Sequence, residues 1–160
     1  MLRSTLAIVA ASVSFGCVAE LRVSSTSQVC GLLRDTQLRA GEWAPGSDGR
    51  EGCASEARSV SANAAGSTIA YTAEGTDGIP QRLKLTVQVA SAADDDAAKR
   101  ELVKATKRLA VRALGMSVPH VVDESIMKAR PARVDVGSGH VTLTRTPATG
   151  QRYELTVSVE

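Results

Sequence analysis

Two runs of this 160-residue chain, 82–89 and 152–159, alternate polar and apolar residues without a fault, and they constrain the fold more than any other feature. In the first, Leu83, Leu85, Val87 and Val89 oppose Arg82, Lys84, Thr86 and Gln88; in the second, Tyr153, Leu155, Val157 and Val159 oppose Arg152, Glu154, Thr156 and Ser158. Side chains of a strand point to opposite faces in turn. Each run therefore reads as a strand with one buried and one wet side, the mark of an antiparallel sheet covered on one face.

Weaker alternation predicts further strands over 54–61, 68–74, 133–136 and 140–146. Turns are expected at 63–66, 75–78, 137–139 and 147–150, all rich in Gly, Asn, Asp or Pro. Helical spacing appears in three places. A first helix opens at Ser27-Gln28 with Val29, Leu32, Leu33 and Thr36 in phase, and Gly41 stands where a terminating glycine would. A long one begins at Ser91 or at Asp94-Asp95-Asp96 and ends at Gly115. Its apolar stripe is Ala98, Leu102, Ala105, Leu109 and Ala113, widened by Val103, Ala110 and Leu114. Pro119 suits the first turn of a third, running to Lys128 with Val122 and Ile126 inward. The expected architecture is α+β: an antiparallel sheet of about five or six strands, helices packed on one face, in the order α-βββ-αα-βββ.

Size and composition fit one domain over 28–160, with a core of Val, Leu, Ile and Ala, because Trp43, Tyr71 and Tyr153 are its only rings. Small side chains bury little area each. Such a core depends on close packing and on any covalent staple. Cys30 and Cys53 are an even pair once Cys17 is removed or modified, so a disulfide between a helix and the end of the turn-rich stretch 42–52 is expected in an oxidising compartment.

The N-terminus carries one basic residue, Arg3, ahead of an uncharged apolar run from Leu6 to Gly16. That run is too short for a membrane span and long enough for a secretory leader, giving a signal peptide over 1–16 and a polar tether over 17–27. The segment Ser14-Phe15-Gly16-Cys17 resembles the signal of bacterial lipoproteins, although Ser14 stands where that family usually has Leu, Val or Ile. The resemblance implies lipidation of Cys17 and a membrane-anchored protein of the cell envelope. Val18 at the next position implies the outer membrane of a Gram-negative cell. An ordinary cut after Gly16 or Ala19, releasing the domain to the periplasm, is the competing reading.

Catalytic and metal motifs are missing. His120 and His140 sit in no HExxH and have no partner histidine at helical ligand spacing. Gly137-Ser138-Gly139 is not a nucleophile elbow, since Val136 and His140 stand where that motif needs glycine, and a strand follows it. The triplet Asp94-Asp95-Asp96 suits capping and the helix dipole better than calcium, which needs spaced oxygen ligands. The expectation is a non-enzymatic protein without cofactor or metal.

One surface feature remains. On the long helix Arg100, Lys104, Arg108 and Arg112 recur every fourth residue, and 99–133 holds nine basic residues against three acidic ones, although the whole chain is only +2. A basic helix face in an exported protein points to an acidic protein, an acidic glycan or lipid headgroups as partner, not to nucleic acid. An inhibitor or immunity-type protein, with Trp43 as anchor of the loop 42–52, is the second reading. A hydrolase with a site dispersed along the chain is the third.

Overall fold

The computed structural model describes residues 21–46, 49–60, 66–150 and 152–160. Eight strands form one antiparallel sheet: β1 (Ala44–Pro45), β2 (Glu51–Ala54), β3 (Arg58–Ser59), β4 (Thr68–Thr76), β5 (Ile79–Val89), β6 (Ala132–Val136), β7 (Gly139–Pro147) and β8 (Tyr153–Val159). Their order across the sheet is β1-β2-β4-β5-β8-β7-β6, with β3 also against β4. Three helices cover one face: α1 (Thr26–Gly31), α2 (Asp95–Leu114) and α3 (His120–Met127). The class is α+β, as the alternation implies.

The sheet has more strands than the five or six expected, and the order α-βββ-αα-βββ is corrected to five strands before α2. The extra ones come from the stretch rich in Gly and Pro. There β1 is only two residues long, and of the strand expected over 54–61 only Ala54, the last residue of β2, and the two residues of β3 are extended in the sheet. The turn expected at 63–66 falls almost wholly outside the described residues. The first helix ends at Gly31, not near Gly41, and a 3-10 turn over Arg34–Thr36 follows, closed by Gln37 at φ 61°. Gly41 instead joins the sheet edge, its N–H donating to the Ala54 carbonyl.

The two faultless runs are the middle of the sheet. β5 and β8 pair from Leu83↔Val159 to Val89↔Tyr153, so their apolar sets share the helix-covered face. Residues Leu83, Leu85, Val87, Leu155, Val157 and Val159 are fully buried. The stripe of α2 lies on them, with Ala98, Leu102, Leu109 and Ala113 likewise buried, and Gly115 terminates the helix at φ +71°. Asp77-Gly78 closes the β4–β5 hairpin with both residues at positive φ, the geometry of a two-residue turn matched to strand twist.

α1 is held to the sheet at two points. Cys30 is disulfide-bonded to Cys53 of β2, with Cα atoms 6.0 Å apart. The Tyr71 hydroxyl on β4 donates to the Val29 carbonyl at 2.8 Å in the core. Burial pushes the Tyr71 pKa well above its ordinary value, so it remains a donor at neutral pH. Tyr71→Phe leaves that buried carbonyl only the longer bond from the Leu32 N–H, at 3.3 Å, and should cost about 1 kcal/mol in urea denaturation. An unchanged midpoint would show that the bond contributes nothing.

Candidate functional site

The basic stripe of α2 is real as a surface, yet acids meet most of it, two on α2 itself and one from the segment after α1. Arg100 Nη2 lies 3.2 Å from Asp96, and Lys104 Nζ 3.6 Å from Glu101. Arg112 grips Asp35 with both guanidinium nitrogens, at 2.6 and 2.8 Å, and also donates to the Leu32 carbonyl. Arg108 makes no ion pair among the described residues and lies near enough to Asp35 to help hold its carboxylate charged. Four residues apart on a helix is 40° of rotation, so the stripe spirals from open solvent at Arg100 to the flank of α1 at Arg112. These four side chains are therefore brought to one helix face but not to one point.

Concavity lies at the far end of the stripe. Between α1 and the C-terminal turns of α2 is a cleft of about 880 Å³, with Arg22, Arg34 and Arg112 around it and Val23, Leu32 and Val111 among its apolar walls. Among the described residues Asp35 is its one carboxylate. The Arg112 hydrogen bonds pull the Asp35 pKa down to about 2, so that acid stays charged and committed to Arg112. Arg22 is positioned by the backbone, its N–H donating to the Ala113 carbonyl at 2.8 Å. Its guanidinium crosses Gly115 so closely that a Cβ there would lie 2.2 Å from Nη1. That is the negative end of the α2 dipole, a favourable place for a cation. Neither Arg22 nor Arg34 has an ion-pair partner among the described residues.

Arg22 and Arg34 escape sequence reasoning because nothing local ties them to α2. Within the stretch 17–27 read as a tether, Leu21 is buried in the core and the Arg22 N–H is bonded to α2. Cys17 and the leader 1–16 lie outside the described residues.

The other singled-out residues have ordinary partners. Asp94 caps α2 by position but not by side chain; its Oδ2 accepts instead from the N–H and hydroxyl of buried Ser67 and from Ser91. Asp95 takes Lys99 and the Tyr153 hydroxyl, and Asp96 takes Arg100. Trp43 is half-buried, and its indole N–H donates to Glu51 at 3.0 Å across its own hairpin. His120 lies 3.2 Å from Glu124, one turn along α3, and His140 2.6 Å from Asp135 across the β6–β7 pair. No helix among the described residues is long and apolar enough to cross a membrane.

Comparison with protein-family models, with curated proteins and with solved structures finds no match to this chain. The fold and the cleft stand on their own physical evidence.

Proposed function

We propose that this chain is an exported, non-enzymatic envelope protein, anchored through a lipid on Cys17, that binds anionic lipid headgroups in the cleft between α1 and α2. The observation that carries the reading is the convergence of Arg22, Arg34 and Arg112 on one concavity where the single carboxylate among the described residues, Asp35, is already engaged. A phosphate group would meet two guanidiniums there that have no ion-pair partner among the described residues, and Leu32 and Val111 offer apolar surface beside them. The Cys30–Cys53 bond agrees with an oxidising compartment. Chain length supplies the link between anchor and cleft. Arg22 is five positions on from Cys17, which holds the cleft within about 18 Å of a lipidated Cys17.

Trp43 gives the inhibitor reading no support, since its ring packs on the core and its N–H is engaged. An acidic protein or glycan in the same cleft is what the test must separate from lipid.

The test is cosedimentation with vesicles containing about one-third anionic phospholipid, beside purely zwitterionic vesicles, using Cys17→Ser so that the anchor itself does not contribute. Each cation near a charged membrane is worth about 1 kcal/mol, so reversing Arg22 and Arg34 to Glu should weaken binding about thirty-fold or more. Reversing Arg100 and Lys104, which already have acid partners, should cost only a few-fold. Equal binding to zwitterionic vesicles, or no effect of raised salt, would refute the headgroup assignment. Intact mass of the membrane-recovered chain decides lipidation independently.

A further inference from the structure

The edge strand β6 is complementary to itself. Among the described residues it is the last strand of the sheet, paired only with β7, and reads Ala132-Arg133-Val134-Asp135-Val136. His140 of β7, opposite Asp135, exchanges both backbone hydrogen bonds with Glu160 on its other side. In an antiparallel ladder that makes Asp135↔His140 a non-hydrogen-bonded pair, so the N–H and C=O of Asp135 point away from the sheet. Two residues earlier, Arg133 repeats the arrangement. The edge therefore offers four outward backbone groups, two donors and two acceptors.

We propose that two copies of this protein pair antiparallel along β6, about a two-fold axis at Val134, joining their sheets into one. This register sets Arg133 opposite the second copy's Asp135, and Asp135 opposite its Arg133. All four outward backbone groups of each copy are then satisfied, and both cross-strand pairs are of opposite charge. Shifting the register by two residues leaves outward groups unpaired and sets like charges face to face. Exposed edges are commonly protected by charges that repel a second strand. Here the two charges are opposite and placed symmetrically about Val134, so they attract a second copy of the same edge.

The charges are free for this role. Arg133 and Asp135 are exposed, and Arg133 has no ion-pair partner among the described residues. Asp135 accepts from His140 at Oδ1, and a carboxylate has about four acceptor positions. On the helix-covered face, Ala132, Val134 and Val136 continue the apolar layer, so the axis would place one Val134 against the other.

The contact is small, so weak dimerisation is expected, with a dissociation constant on the order of 0.1 mM. Sedimentation equilibrium on the full chain should show concentration-dependent dimers. Arg133→Asp alone, or Asp135→Arg alone, sets like charges opposite twice per dimer and should weaken association at least tenfold. The double exchange R133D/D135R restores both pairs and should recover dimerisation, with circular dichroism unchanged throughout. The register has its own readout. Val134→Cys places two thiols across a non-hydrogen-bonded pair at about 4.5 Å between Cα atoms, within disulfide reach, and should crosslink on oxidation. Thr144→Cys, exposed one strand inward, should not. A chain that stays monomeric near 1 mM, single reversals without effect, a double exchange without rescue, or an uncrosslinked Val134→Cys would each overturn the proposal.

Discussion

Truncating Leu109 to Ala should lower stability by about 3 kcal/mol, among the largest single losses this fold can show. Leu109 is fully buried on the sheet-facing stripe of α2, the helix that covers β5 and touches β4 and β8. Its helical neighbours on that stripe, Ala105 and Ala113, are too short to fill the hole, and the cavity term adds to the lost transfer energy. With so few rings in the core, no large side chain is at hand to swing into the gap. Urea denaturation followed by circular dichroism measures the loss. Val111→Ala, half exposed two residues along, is the matched control and should change little. A loss below 1 kcal/mol at Leu109 would mean that α2 settles onto the sheet and closes the cavity.

Removing the disulfide by Cys30→Ala with Cys53→Ala should cost about as much, for a different reason. The bond closes a loop spanning 23 residues of sequence, and releasing it returns about 3 kcal/mol of conformational freedom to the unfolded chain. For a domain of this size that is roughly a 10 °C fall in melting temperature. The damage should also be local. α1 has six residues and no side-chain cap at Ser25, far too short to persist alone, so the disulfide and the Tyr71–Val29 bond hold it in place. Loss of the bond should raise hydrogen exchange over 26–36 and weaken anion binding in the cleft that α1 walls. An unchanged melting temperature with and without reductant would refute the staple.

The central strands and the long helix were legible because their patterns are local. Leu83 to Val89 and Tyr153 to Val159 each show a period of two, and α2 a period near 3.6 with Gly115 in place to end it. The edge strands were not. β1 contains Pro45, and β2 contains Gly52, whose Cβ would lie 2.3 Å from the Ala73 carbonyl, so they exist through pairing and close approach, which propensity does not record. Gly41 looked like a helix terminator since a glycine has no signature that separates a helix end from a sheet-edge bridge.

The candidate site divides in the same way. The repeat of Arg100, Lys104, Arg108 and Arg112 is visible in one line of sequence, but Asp35, 77 positions before Arg112, is not, and it decides which cation is already bound. Sequence alone determined the α+β class, the inward faces of β5, β8 and α2, and the even pair Cys30 and Cys53. Only tertiary structure decided the strand order, the anchoring of Leu21 and Arg22, and the cleft where Arg22, Arg34 and Arg112 meet. Periodicity is a property of neighbours along the chain, whereas a cleft or a charge partner depends on which distant segments the packing brings together.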